Sequence, residues 1–281
     1  MPNRSIYAEI TRKASKTFYA ATNLFPKNLR EDIFILYSFV RTADDLIDSN
    51  PPKIDEYNRY KKNSFDSLQG IDMRDPLITA FTDLVRRKNL DKKLIADFFH
   101  SQELDFKTHT YATHRDLKKF IYGVAEVIGL FMAQLMELPK DAYASAQDLG
   151  YAMQLINILR DIIEDHSLGR LYIPLEDLRQ FHLSPPLNRE NIIANKKNFI
   201  KLMRYEIDIV RSYLRKAKKG YKYIPKRYLF GIKTAADLYS STADSLYKNP
   251  FQILKKKSET ISDQHTQNYY YKLFPVSFWQ S

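Results

Sequence analysis

Two lysine-free segments, more than a hundred residues apart, each set carboxylates one helical turn from the next. The first is Tyr37-Ser38-Phe39-Val40-Arg41-Thr42-Ala43-Asp44-Asp45-Leu46-Ile47-Asp48. The second is Gln154-Leu155-Ile156-Asn157-Ile158-Leu159-Arg160-Asp161-Ile162-Ile163-Glu164-Asp165. In a helix, residues three and four apart share a face, so Tyr37, Arg41, Asp44 and Asp48 form one stripe. Gln154, Asn157, Asp161 and Asp165 form another. Like charges at this spacing cost a free helix about 0.2–0.5 kcal/mol. Each stripe is therefore a local liability. Opposed, the two supply the carboxylate oxygens that a cluster of hard divalent cations needs. A fold that suits this chain must bring them face to face.

An ordinary surface helix also carries apolar residues opposite a polar face. The composition of the stripes separates the two readings. No lysine occurs between Lys27 and Lys53, or between Lys140 and Lys196. At the chain's average frequency the second gap should hold about five, were these ordinary surface helices. Asn is also a poor residue for an exposed helix interior. A polar face that keeps Arg, Asn, Gln and Asp while excluding Lys reads as the lining of a site.

The chain has 281 residues, 7 glycines, 12 prolines and no cysteine. Long stretches carry helical periodicity and none alternates as a strand, so the expected fold is all-α. A Gly-rich phosphate loop is absent from the sequence, which argues against a nucleotide-binding fold. Without cysteine, disulfides, thiol nucleophiles and Cys-based zinc sites are excluded. The amino-terminal residues have no signal-peptide core. The longest apolar stretch, residues 121–136, contains Glu126 and reads as a buried helix rather than a membrane span. The expected location is cytoplasmic, or peripheral on the inner face of a membrane.

Helices are expected over residues 5–22, over 29–48 with Asn28 as N-cap, over 141–165, over 189–219 and over 226–248. Several more occupy residues 53–140. Neither linker nor repeat divides the chain, so residues 1–281 are expected to be one domain. Net charge is +11, and basic residues concentrate in the last third, with Lys255 to Lys257 near its end. Residues 215–230, RKAKKGYKYIPKRYLF, interleave basic and aromatic side chains as segments at a lipid interface do. No nucleic-acid-binding pattern is present, so nucleic acid is not an expected partner.

Opposed Asp stripes can hold Mg²⁺, with Mn²⁺ an acceptable substitute, and Mg²⁺ completes its shell with water and substrate phosphates. Such ions make a diphosphate a better leaving group. Arg41 and Arg160 can grip phosphate oxygens in bidentate fashion. A dry wall of Phe, Tyr, Leu, Ile and Met suits a long hydrocarbon and shields a carbocation, which aromatic faces stabilise. This chemistry is ionisation of an allylic diphosphate. By itself it fits a chain-elongating prenyltransferase, a terpene cyclase or a head-to-head synthase.

One family narrows the choice. Asp44-Asp45-Leu46-Ile47-Asp48 resembles the first aspartate motif of squalene and phytoene synthases. The run from Gln154 to Asp165, followed by Gly169-Arg170-Leu171-Tyr172-Ile173-Pro174, resembles their long second motif. Ser15-Lys16-Thr17-Phe18, with Pro26 beyond it, resembles their diphosphate-binding amino-terminal segment, and Tyr122-Gly123-Val124-Ala125 their central helix. The resemblance implies an all-α isoprenoid-synthase bundle around a central cavity. It implies joining two identical allylic diphosphates, through a cyclopropyl diphosphate, into a C30 or C40 hydrocarbon. Carried over by position, Asp44, Asp48, Asp161 and Asp165 would hold Mg²⁺. Ser15, Phe18, Arg41, Gln154, Asn157 and Arg160 would bind substrate. Tyr37, Arg41, Tyr122, Tyr172 and Tyr239 would serve the reaction. NADPH would be needed only for squalene.

The chain departs from the family pattern at Ala14, where His is common, and at Glu126, where a small residue is common. A non-catalytic relative acting as a scaffold is the alternative, and it predicts losses among the four aspartates, all of which are present. The small Thr22, one turn beyond Phe18, leaves room for a long tail. It favours geranylgeranyl over farnesyl diphosphate and a phytoene-type product.

Overall fold

The computed structural model describes residues 4–49 and 51–255, and these fold as helices joined by short loops. A single parallel bridge, Thr110 beside Leu171, is the one strand-like pairing among them. The all-α expectation holds.

Helix α1 (Arg4–Ala14) and α2 (Lys16–Thr22) replace the one helix expected over 5–22. Ser15 is extended, with φ −151° and ψ 104°, and its Oγ accepts the Phe18 N–H at 3.2 Å. That cap restarts the helix on a new axis. Helix α3 (Lys27–Asp48) begins directly after Pro26, so Asn28 lies inside it and does not cap it. Pro26, with φ −53° and ψ 147°, occupies the N-cap position and offers no side-chain cap, so the turn in the chain rather than a cap marks the start of α3. Extended Ser49 ends α3 just past Asp48.

Helices α4 (Ile54–Leu68), α5 (Pro76–Lys88), α6 (Lys92–Lys107) and α7 (His114–Ile121) follow. Helices α4, α5 and α6 pack on α3 around Phe39, whose ring stacks on Phe81 at 3.7 Å and meets Phe99 edge-on at 6.0 Å, while α7 buries Leu117, Phe120 and Ile121 in a second core. Tyr60 anchors this layer by donating its hydroxyl to the Phe39 carbonyl at 3.1 Å. A π-helical turn, Tyr122–Glu126, joins α7 to α8 (Val127–Leu135). Residues 121–136 are buried as expected for the most part, and Glu126 is buried with them.

The expected helix over 141–165 is three pieces: a 3-10 turn, α9 (Tyr143–Arg160) and α10 (Ile162–Ser167). Asp161 leaves helical geometry at φ −102°, ψ 12°, where Arg160 grips its carboxylate. Past α11 (Leu175–Gln180), the helix expected over 189–219 divides at Asn195 into α12 (Arg189–Ala194) and α13 (Lys196–Lys218). The Asn195 side chain bonds back to Asn191, competing with helix continuation. Helix α14 (Lys226–Lys248) has the expected bounds.

Helices α9, α13 and α14 share the second core around Leu155, Phe199, Met203 and Ile207. Both cores contribute to the wall of one cavity, and Leu149 packs against each. Gly129 of α8 and Gly150 of α9 let this pair of helices approach closely. A Cβ on Gly129 would sit 2.3 Å from the Ala146 carbonyl oxygen, and one on Gly150 would sit 2.3 Å from that of Ala125.

Candidate active site

The cavity has a volume of about 510 Å³ and two unlike ends. Along α3 its lining runs from Ile33 and Leu36 through Tyr37 and Arg41 to Asp44 and Asp48. Along α9 it runs from Ala146 and Leu149 through Gln154 and Asn157 to Arg160 and Asp161. Both helices therefore carry apolar side chains at one end and acids at the other. Both also end at the acid end, where their carbonyl dipoles add negative potential. Among the described residues, every cation lining the cavity is an arginine, namely Arg41, Arg160 and Arg170. That composition accounts for the two lysine gaps.

At the acid end Asp44, Asp48, Asp105, Asp161 and Asp165 converge on the one cavity. Arg160 holds Asp161 with two hydrogen bonds, at 2.9 and 2.6 Å. Arg170 donates Nη1–H to Asp48 Oδ1 at 2.6 Å and lies 4.0 Å from Asp105 Oδ2. Arg41 pairs with Asp45, and its buried Nε has no hydrogen-bond partner. Gln102 turns its Nε2 to Asp44 and leaves its Oε1 buried and unpartnered. Asp105 accepts from Tyr172 at 2.7 Å and from Tyr111 at 3.2 Å.

Burial and then the neighbouring Asp48 push the Asp44 carboxyl up to about 7. Burial and then Asp161 push Asp165 up to about 8. Five acids against three arginines leave an excess of negative charge that a divalent cation would neutralise. The donor set is oxygen only: among the described residues the lining contains no histidine, and the chain has no cysteine. With the orphaned Gln102 oxygen beside it, this set fits Mg²⁺ and disfavours Zn²⁺.

Ser15, Phe18, Tyr37, Gln154, Asn157, Tyr172 and Tyr239 also line the cavity. The Phe18 and Tyr37 rings stack with centroids 4.5 Å apart, and burial pushes the Tyr37 phenol up to about 12. Thr22 and Phe25 continue the wall toward the apolar end. Tyr122 is the exception among the expected residues. It is not in the lining, and its hydroxyl donates to Asp97 at 3.0 Å on the far side of the π-helical turn. Gln102, Asp105 and Arg170 were not expected. Gln102 and Asp105 are three apart on α6, a spacing that many amphipathic helices share.

The residues that departed from pattern have distinct places. Ala14 lines the cavity. Glu126 does not; one of its oxygens accepts from Gln147 at 3.2 Å and the other is buried without a partner.

A sequence model of the family described as squalene/phytoene synthase matches residues 11–264. A 15-cis-phytoene synthase of Synechococcus elongatus is 28% identical over 269 residues, covering 89% of this chain and 85% of that protein. A 15-cis-phytoene synthase of Enterobacter agglomerans is 29% identical over 263 residues, covering 89% and 88%. Among solved structures, a dehydrosqualene synthase in complex with ligand superposes with a TM-score of 0.80 at 25% identity, covering 97% of each chain. A squalene synthase of Alicyclobacillus acidocaldarius shares the fold, with a TM-score of 0.75 at 20% identity over 89% of this chain and 94% of that one. Two opposed aspartate stripes on one arginine-lined cavity and a family match over nearly all the described residues agree: this chain belongs to the squalene/phytoene synthase family.

Proposed function

We propose that this protein is a prenyltransferase that joins two identical allylic diphosphates head to head, with geranylgeranyl diphosphate as donor and a phytoene-type C40 hydrocarbon as product. The observation that carries this reading is the two-ended cavity, acid and arginine at one end and apolar at the other. Asp44, Asp48, Asp161 and Asp165 would hold Mg²⁺, which when bound neutralises diphosphate and eases its departure. Ser15, Arg41, Gln154, Asn157 and Arg160, which line the same cavity, would hold the diphosphate oxygens. The unpartnered Arg41 Nε is a donor waiting for one. Phe18 lies between that end and the apolar wall. Tyr37, Tyr172 and Tyr239 line the cavity and would border the space where cationic carbons form, from which the apolar wall would keep water. Tyr122 is left out of this set because its hydroxyl is committed to Asp97. The stripes act only together, which supports reading residues 1–281 as one catalytic domain. A phytoene-type product forms without reduction, so NADPH has no part in this reading.

The relatives named phytoene synthase favour the C40 product. Pyrophosphate release with geranylgeranyl and farnesyl diphosphates, with and without Mg²⁺, followed by identification of the extracted product, is the test. A C40 head-to-head hydrocarbon is expected. Absence of Mg²⁺-dependent release from either donor would leave the scaffold reading in its place.

The same chemistry gives the protein a reason to visit a membrane, since its product is insoluble in water. No helix among the described residues is long and apolar enough to cross one. Ala217, Gly220, Tyr221 and Ile224 line the cavity from inside, while Lys216, Lys218, Lys219, Lys222 and Lys226 face outward, with Phe230 47% exposed. This is the region proposed to sit on anionic lipid. Lys256 and Lys257 lie outside the described residues. Flotation with anionic vesicles is expected to carry the protein and flotation with neutral vesicles is not; equal negligible binding to both refutes it.

A further inference from the structure

The loop entering α7 and the loop entering α11 run side by side. Leu171 N–H donates to the His109 carbonyl at 2.8 Å, Leu175 N–H to that of Tyr111 at 2.9 Å, and Glu176 N–H to that of Ala112 at 3.1 Å. One end of this pairing carries Arg170 and Tyr172 into the cavity. The other end carries His114, Glu176 and Asp177, whose nitrogen and oxygen ligand atoms all lie within 4.8 Å of one another.

The bonding there is incomplete. His114 Nε2 is 2.6 Å from Asp177 Oδ2, yet both atoms are buried and neither completes a hydrogen bond. Glu176 accepts the His114 backbone N–H through Oε1 at 2.6 Å, which fixes its carboxylate beside the ring. Asp177 is 1% exposed. Behind it Glu206 of α13, also 1% exposed, adjoins Asp177 and keeps Oε1 buried without a partner. Tyr205 packs its ring 6.5 Å from that of His114. Among the described residues no lysine or arginine forms an ion pair with Glu176, Asp177 or Glu206. His114 is therefore the one group beside Asp177 able to carry positive charge, and buried carboxylates with so little compensation are costly. Burial and the adjoining Asp177 hold the Glu206 carboxyl well above its ordinary range.

We propose that His114, Glu176 and Asp177 bind a structural divalent ion of the Zn²⁺ type, with Glu206 behind Asp177 to orient it. None of these residues lines the cavity, so the site is distinct from the aspartate stripes. An imidazole nitrogen with two carboxylates is a borderline donor set, which takes Zn²⁺ or Co²⁺ in preference to Mg²⁺. The outer carboxyl is the kind of partner that holds a ligating side chain in place. His114 and Glu176 are half-buried while Asp177 is buried, so the cluster lies just beneath the surface. Such an ion would pin the far end of the loop that delivers Arg170 and Tyr172.

The test uses the full chain, freed of metal by chelation and then saturated with Mg²⁺ to fill the acid end of the cavity. Co²⁺ is titrated in and followed by its visible absorption, and Zn²⁺ by melting temperature. The expected result is about one tightly bound Co²⁺ per chain, with bands of low-coordinate, nitrogen-containing ligation, and a rise in melting temperature with Zn²⁺. His114→Gln and, separately, Glu176→Gln should each weaken binding about tenfold or more. Glu176→Gln keeps the packing should His114→Gln fail to fold. No binding to the parent chain, or binding and melting shifts that are the same in the parent and a folded variant, overturns the proposal and leaves a metal-free cluster with a protonated Glu206.

Discussion

Arg170 closes the candidate site by reaching to Asp48: Nη1 of the arginine is 2.6 Å from Oδ1 of the aspartate, across 122 residues of chain. The contact ties the loop after the second stripe to the last turn of the first. Arg160 is committed to Asp161 and Arg41 to Asp45. Arg170 is the cation shared among acids, with Asp105 also within 4.0 Å.

Removing that shared cation should loosen the whole acid end. Arg170→Ala is expected to lower kcat about a hundredfold and to raise the Mg²⁺ concentration needed for half-maximal rate. Arg170→Lys restores the charge but not the planar fork, so it should recover only part of the loss. Steady-state kinetics over a Mg²⁺ titration give both quantities. An unchanged Mg²⁺ requirement in the alanine variant would show that Arg170 does not organise these carboxylates.

Each stripe should be indispensable separately. Asp44→Asn and Asp161→Asn are each expected to cut turnover about a thousandfold or more, since each removes a charged ligand. Their stabilities should differ. The Asp44 carboxyl has its pKa raised to about 7 by burial, so its ionised form opposes folding above that pH in the absence of metal. Asp44→Asn should then melt higher than the parent chain at about pH 8 without Mg²⁺. Asp161→Asn loses the bidentate, charge-assisted pair of hydrogen bonds from Arg160 and should not gain. Retained Mg²⁺-dependent turnover in either variant would remove that stripe from the metal site.

Thr22 is buried on the cavity wall beyond Phe18. Thr22→Phe should shorten the space available to a prenyl tail. Each buried CH₂ contributes about 0.8 kcal/mol, so excluding one five-carbon isoprene unit should shift the kcat/KM ratio toward farnesyl diphosphate by up to about a thousandfold. Competition between the two donors measures the ratio directly. An unchanged ratio would move the chain-length limit to another wall.

Glu126 is buried away from the site, and burial raises its pKa above the ordinary carboxylate range. The folded state therefore binds this proton more tightly than the unfolded state. The associated stability is present below the unfolded pKa and is lost as pH rises through the folded one. Glu126→Gln should raise the melting temperature at about pH 7 and have little effect near pH 4. Parallel melts of parent and variant over that range decide it; a constant difference across it contradicts the assignment.

Much of the site was legible before the fold. The stripes show in sequence because helical spacing and the missing lysines are both local signals, and every stripe residue lines the cavity. Helix α14 was legible because Pro225 fixes its start. The breaks at Ser15, Asp161 and Asn195 were not, because each depends on one side chain bonding to a neighbour rather than on hydrophobic period. Tyr122 was named from the family resemblance alone; it opens a π-helical turn that no sequence pattern signals, and its hydroxyl goes to Asp97 rather than to the cavity. Gln102 and Asp105 join the site only through tertiary packing of α6.

Gly129 and Gly150 both line the cavity, and each presses its bare Cα against a backbone carbonyl of the other helix's segment. This wall is already as thin as amino acids allow, and any added carbon would strike main chain rather than a side chain that could swing aside. Evolution can neither deepen the cavity here nor fill it without parting two helices. A lineage that altered the length of its product would have to write the change on the other walls, where α2, α3 and residues 217–224 offer side chains that can be traded one at a time.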